Sequence, residues 1–330
     1  MRQARIKPEE TDCFVHAYNR AAGHLGDYPF QDAHKEFFIN FLRKLARLYT
    51  VEPLAYQVMG NHFHLLLYVP AGLLSVEAAV ERFHAYHEGK KLILATSPKA
   101  EELPSKLRDI SSFMKDLQQG FTRWFNRSGA VPRRGHLWQE RFKSTLLEGG
   151  RATWDCWKYI EMNPVRAHMV QDAADYRFSS YGAWCGKGDH PFVDSAVKLL
   201  LPRLQGLLPV MDMAGVHKEL RKEFARFTAQ EKKLEPAEIV RQIRSAEKQK
   251  FTTCLDRRVR YWVDGLVIGS DIFVRTIVGR ARGQLAVQKR RLVRAVAMNE
   301  PLNDSALRPS AISARDMPPL YSFKQLREII

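Results

Sequence analysis

Cysteine is scarce in this 330-residue chain: Cys13, Cys156, Cys185 and Cys254 stand far apart, with no C-x-x-C pair among them. That spacing suggests neither a zinc finger nor a disulfide framework, and leaves isolated buried thiols as the plain reading. Long apolar runs are missing too. No stretch reaches the roughly 18 to 20 residues needed to cross a bilayer, and the opening MRQARIKPEETDCF holds no apolar run of signal-peptide length. A soluble, cytoplasmic protein is expected. Acidic residues are in deficit, since 36 Asp+Glu against 52 Lys+Arg leave a formal net charge of +16. Such an excess favours a polyanion, either nucleic acid or an anionic membrane surface, and says nothing about fold. No internal repeat or low-complexity tract is evident. Apolar residues at 45% and aromatics at 11% exclude a wholly disordered basic protein and can fill one core with an accessory region, or two domains.

What is present is a mixture of strand and helix signals. Cys13 to Asn19 reads as a strand, and Asp32 to Leu48 places Phe37, Phe38, Phe41, Leu42, Leu45 and Leu48 at helical spacing. Leu54 to Met59 and His62 to Val69 are strand-like and flank Gly60-Asn61, a hairpin signal. A helix is expected from Ser75 to about Gly89, then a polar connector from Ala95 to Pro104. A longer helix should run from about Lys106 to Asn126, ending in a loop at Ser128 to Arg134. A short strand at Arg141 to Leu147 precedes a helix from Ala152 to Met162 that Pro164 should end. Pairable strands among helices of 10 to 20 residues favour an α+β layer fold over a doubly wound parallel sheet. Beyond Gly186-Lys187-Gly188 helical periodicity dominates, placing a boundary near residue 190, with units at 1–189 and 190–330.

Two segments can carry chemistry. In Met59-Gly60-Asn61-His62-Phe63-His64 the two histidines are i and i+2 on a strand, so both imidazoles project to one face, which is half of a metal site. Ligand chemistry alone would allow zinc or copper there. In Tyr159-Ile160-Glu161-Met162-Asn163 the tyrosine and the amide are i and i+4 on a helix and share a face. That pairs a hydroxyl nucleophile with an oxygen donor for a metal, or else is only an amphipathic core tyrosine and a helix-terminal asparagine. Between them, Lys106 to Lys143 carries nine Lys/Arg against three Asp/Glu, a surplus of six, interleaved with Phe113, Phe121, Trp124, Phe125, Trp138 and Phe142. Basic groups for phosphates and flat side chains for stacking are what a single-strand groove needs, although Phe113 and Phe121 read better as the buried face of a helix. His16 on the first strand could approach the histidine pair. His84 and His87 read as surface or supporting residues, and His136 as structural or DNA-contacting.

Taken together, H-x-H after a hairpin, then Gly135-His136-Leu137-Trp138-Gln139-Glu140-Arg141-Phe142, then Tyr159-Ile160-Glu161-Met162-Asn163-Pro164-Val165-Arg166, then Tyr176-Arg177-Phe178-Ser179-Ser180-Tyr181 resemble in order and spacing the single-tyrosine transposases of the HUH superfamily. The branch they look most like is the REP-associated tyrosine transposases, within the insertion-sequence-200-like group. The resemblance spans roughly residues 8 to 185. It implies a ferredoxin-like antiparallel sheet flanked by helices, ahead of a mainly helical C-terminal region. His62 and His64 match the metal-binding pair of that family and Tyr159 its nucleophile, while Asn163 stands where many relatives place a glutamine ligand. The implied cofactor is Mg2+ or Mn2+ and the implied partner single-stranded or hairpin DNA, with no membrane partner and a monomer or homodimer as the acting species at the nucleoid. Arg123, Arg133, Arg134, Trp138, Arg141, Lys143 and Arg166 are the expected DNA contacts. A domesticated protein that binds hairpins with little or no catalysis is the alternative.

From Glu231 to Glu300 the chain holds 16 Lys/Arg and 8 Asp/Glu, a surplus of eight. Within it, Asp264 to Val274 could start a helix capped by Ser270 or Asp271. The C-terminal region reads equally as an accessory DNA-binding module or as a basic appendage packed on the catalytic domain.

Overall fold

The computed structural model describes residues 11–24, 27–129, 132, 134–188, 190–231, 267–287 and 321–322. Among the described residues six strands form one sheet: β1 (Cys13–Arg20), β2 (Glu52–Val58), β3 (His62–Val69), β4 (Lys143–Leu147), β5 (Val267–Gly269) and β6 (Tyr321–Ser322), in the order β2-β3-β1-β4-β5-β6. The first four pair antiparallel around the central β1 and β3. With α1 (Asp32–Ala46) between β1 and β2, and helices between β3 and β4, this is the ferredoxin-like α+β arrangement. β1 and β3 read as nearly unbroken apolar runs because helices cover both faces of the sheet.

Alternation along the strands sorts the side chains into two cores. Val15, Ala17, Phe63, Leu65 and Leu67 face α1 and α4 (Ile110–Ser128), where Phe38, Phe121 and Phe125 complete one core. Phe14, Leu66 and Tyr68 face the other way, onto α5 (Arg151–Glu161). Every residue of α5 from Ala152 to Glu161 is buried, because it lies between the sheet and α10 (Met213–Glu231), whose Val216, Leu220 and Phe224 belong to the same core. Such a helix cannot show a simple polar face. Its charged groups are therefore paired: Lys158 Nζ lies 3.3 Å from Glu223 and 3.4 Å from Asp155, and Arg151 Nε lies 2.7 Å from Asp155.

The β2–β3 turn forms at Gly60-Asn61, with the Met59 amide donating to the His62 carbonyl over 2.7 Å. A Cβ on Gly60 would come within 2.9 Å of the Tyr28 ring, so the turn is held tight against the preceding loop. α2 (Val76–Tyr86) is capped by Ser75. The polar connector expected at Ala95 to Pro104 is instead mostly helix, α3 (Pro98–Arg108): Ser97 caps it, accepting from the Ala100 amide, and Pro98 opens it, where its missing N–H costs nothing. The following helix begins at Ile110, not near Lys106, because Asp109 is extended and its carboxylate takes the Ser112 amide at 3.0 Å. After α5 a short helix α6 (Asn163–Arg166) carries Pro164 in its first turn, and α7 (Ser180–Lys187) follows. α8 (Val193–Ser195) passes through a wide turn at 196–200 into α9 (Leu201–Gln205).

β5 lies parallel to β4, with Leu146 opposite Val267 and Leu147 opposite Ile268. α11 (Asp271–Val287) follows at once, capped by Ser270, whose Oγ accepts from the Phe273 amide at 3.3 Å. Glu148, just past β4, accepts from both the Ser270 amide (2.5 Å) and its hydroxyl (2.9 Å). Described residues on both sides of position 190 thus share one sheet and both of its cores. Among the described residues no helix is long and apolar enough to cross a membrane.

Candidate active site beneath helix α5

Strand register brings the polar side chains of the α5-facing surface into rows. Lys143 on β4, Tyr18 on β1, His64 on β3 and Gln57 on β2 are successive cross-strand partners and therefore share a face. One step along β1, His16 lies opposite Leu66 and Thr145. His62 projects from the start of β3, its ring perpendicular to that of His64 with centroids 5.2 Å apart.

Tyr159 descends from α5 onto this surface. Its ring meets His16 and His64 edge-on, at centroid distances of 5.8 and 5.7 Å. His62, His64 and Tyr159 therefore come together within one chain, and His16 joins them. Arg166, at the end of α6, lies with its guanidinium carbon 5.1 Å from the Tyr159 ring centroid, and its Nη1 is buried with no hydrogen-bond partner. Asn163 turns its amide nitrogen back to the Tyr159 and Ile160 carbonyls, at 3.0 and 3.3 Å, closing the end of α5.

Each histidine of the pair is held at Nδ1. His62 Nδ1 is 2.7 Å from Asn61 Oδ1, and His64 Nδ1 is 2.9 Å from His16 Nε2. Burial pulls the His62 imidazole down to about 4, with Arg20 adding to the effect. Burial also takes His64 well below its ordinary value, helped by His16, His62 and Arg166. Both rings are thus neutral at pH 7, the protonation state in which imidazole ligates a metal. The Tyr159 phenol is fully buried and pushed up to about 12 by that burial, against the lowering influence of Arg166 and a raising one from Cys156.

Donor chemistry allows a cation here. A neutral imidazole offers Nε2 to a ligand when its proton sits on Nδ1, and Gln57, fully buried beside His64, has no partner for either atom of its carboxamide. Among the described residues no group of three or more His, Cys, Asp or Glu gathers as a metal cluster, so amide or water oxygens would have to complete such a site.

The other expected DNA contacts scatter. Lys143 is exposed at the edge of the site, its Nζ 5.9 Å from the Tyr18 ring centroid. Arg134 and Arg141 are exposed on the approach to β4, and Arg133 lies outside the described residues. Two of the expected contacts lie on the other side of the sheet from Tyr159. Arg123 is exposed on α4, across the sheet from Tyr159. Trp138 packs against Phe30, Phe63 and Phe121 at 5.3 to 5.8 Å and donates from Nε1 to the Gln118 carbonyl, so one side of its half-buried ring belongs to that core. His84 is a supporting residue, accepting from the Ile93 amide, and His136 is exposed. No sequence motif marks Asn61 or Gln57 as a residue of the site. The signal for Gln57 was a polar side chain inside an apolar strand, as it was for His16.

No protein-family model matches the chain, and no curated protein matches it. Among solved structures, a REP-associated tyrosine transposase bound to a REP hairpin aligns with 58% of this chain and 89% of its own, at 17% identity and a TM-score of 0.39. An overlap this loose carries no functional argument.

Proposed function

We propose that this chain is a metal-assisted, single-strand-specific DNA transposase that uses Tyr159 to break and rejoin strands at hairpin-forming repeats. The observation that carries this reading is the meeting of Tyr159 with two neutral, same-face histidines on one rigid sheet, under an arginine with an unsatisfied N–H. His62 and His64 would hold Mg2+ or Mn2+, with Asn163 Oδ1 as a further donor. When bound, the cation withdraws charge from the scissile phosphate.

The chain's own residues supply the rest. Tyr159 Oη attacks phosphorus in line and loses its proton. The bond to the 3′ oxygen breaks and that oxygen takes up a proton, leaving a 5′-phosphotyrosine and a free 3′-OH. The phosphodiester energy is kept in the new bond, so a 3′-OH can reverse the step without ATP. Arg166 has two parts to play: its charge favours the phenolate, and its open Nη1 can take a phosphate oxygen. As the guanidinium also lies against the phenol ring, an arriving phosphate that draws it away would help uncover the nucleophile. Lys143, Arg134 and Arg141 would steer the strand towards β4.

One observation favours a second reading. A fully buried, protonated phenol is a poor resting nucleophile, as suits a hairpin-binding regulator with little catalysis. Labelled single-stranded hairpin DNA incubated with the protein and Mg2+ or Mn2+ separates the two. A covalent adduct lost in Tyr159→Phe supports the transposase. Tight binding without adduct supports the regulator, and cleavage that survives Tyr159→Phe sinks the role given to Tyr159.

A further inference from the structure

The histidine pair has two neighbours that no motif assigns, and both act on the same atom of the imidazole. Asn61 Nδ2 donates to the Asp27 carbonyl at 3.0 Å, which turns its Oδ1 towards His62. An amide oxygen can only accept, so the proton of neutral His62 is on Nδ1 and the lone pair on Nε2. At His64 the contact is between two rings, His64 Nδ1 and His16 Nε2, 2.9 Å apart, and one of them must carry the proton. His16 is fully buried on β1 and nearly parallel to His64, with 15° between the ring planes.

We propose that Asn61 and His16 are positioning residues that fix both histidines in the Nδ1–H tautomer and so present two Nε2 lone pairs together. At His64 this means that Nδ1–H donates and His16 Nε2 accepts. Neutral imidazole in water prefers the proton on Nε2, where it would block the ligating atom, so a dedicated acceptor at each Nδ1 changes which nitrogen is offered. Two different acceptors serving the same purpose on adjacent same-face residues point to the pair as the unit being built. The role depends on the proposal that His62 and His64 ligate a cation, but it is read out without DNA or turnover.

Long-range 1H–15N correlation spectra of the metal-free protein report the tautomer of each ring, and the electron paramagnetic resonance of free Mn2+ reports affinity. In the parent protein both His62 and His64 should be Nδ1–H. His16→Leu should move His64 towards Nε2–H and lower Mn2+ affinity by about 10- to 100-fold. His16→Gln, whose carboxamide oxygen can reach the place of the lost Nε2, should restore both. Asn61→Ala should shift His62 alone. Because His16 is buried, each variant is first compared with the parent in unfolding midpoint, and the His16→Gln rescue separates loss of the acceptor from loss of the fold. His64 found as Nε2–H in the parent overturns the proposal, and so does parent-like Mn2+ affinity in a folded His16→Leu. A protein with these tautomers and this affinity pattern that forms no adduct with hairpin DNA keeps the proposal and sinks the transposase reading instead.

Discussion

Glu161 allows a prediction whose size follows from its surroundings. It lies on α5 two residues beyond Tyr159, fully buried, and its carboxyl group accepts from the Ser180 hydroxyl, the Tyr181 amide at 3.1 Å and Trp157 Nε1 at 3.1 Å. Three donors favour the charged form, but burial outweighs them and raises the group from its ordinary 4.5 to about 7. A carboxyl whose folded value is raised binds its proton more tightly in the native state. Its stabilising contribution is therefore complete below about pH 4.5 and is lost as pH rises through 7, by about 3 kcal/mol at roughly 1.4 kcal/mol per pH unit. His62 and His190, pulled down to about 4 mainly by burial, act with the opposite sign: their contribution is complete above 6.5 and is lost as pH falls towards 4. Glu161→Gln removes only the first effect. Urea unfolding of parent and variant from pH 4.5 to 8.5 should show the variant gaining on the parent by about 3 kcal/mol across the range. Any fixed cost of the new amide shifts this difference curve without tilting it. A difference that stays flat with pH would mean that Glu161 ionises as an ordinary carboxylate and that the burial argument fails.

Three other substitutions test the packing around the site. Gln57→Met replaces a buried carboxamide lacking any partner by an apolar chain of similar length, so unfolding free energy should rise by about 1 to 2 kcal/mol; a lower midpoint would reveal a partner for the amide. Gly182→Ala should destabilise by about 3 kcal/mol or more, because a Cβ there would run into the Tyr176 backbone, 2.6 Å from its carbonyl carbon, and push away the end of α7 that donates to Glu161. Lys158→Met should cost about 3 kcal/mol in thermal or urea unfolding by leaving Asp155 and Glu223 without their shared cation, though Arg151 still holds Asp155 and Arg226 still holds Glu223.

Local pattern was enough wherever one segment decided its own structure. The period of α1, the strand run of β1, the Gly60-Asn61 turn and the stop at Pro164 are all visible in the sequence and reappear in the fold. α3 is hidden in the sequence because Ser97-Pro98, a cap and first-turn proline, reads as a loop when Pro104 follows it. The site was legible along the chain and less so across it. His62, His64 and Tyr159 could be singled out from spacing and motif, whereas placing His16 and Gln57 beside them depends on which strands pair and in what register. That same non-local information decides facing. Composition put Arg123 and Trp138 in one basic, aromatic stretch with Lys143, but α4 and Trp138 belong to the core on the opposite side of the sheet.

Charge and burial together explain why the centre of this site can be so apolar in a chain of net charge +16. Burial keeps the two histidines neutral and the phenol protonated, so the sheet surface beneath α5 carries no ionic group of its own around Tyr159. Cations stand around it instead: Arg166 over the ring, Lys143 at the rim and Arg20 opposite His62. A neutral floor under a cationic rim has little to attract an ordinary cation and much to attract a phosphate. On the proposed function, a bound phosphate would lower the cost of bringing a divalent ion to the two imidazoles. Metal affinity should therefore be weak in the free protein and rise when an oligonucleotide is bound, and by linkage the metal should tighten oligonucleotide binding by the same factor. Titrating Mn2+ with and without a hairpin oligonucleotide, in the Tyr159→Phe variant so that no bond is made, measures that factor. A value of one would mean that the phosphate and the ion do not meet over the histidine pair.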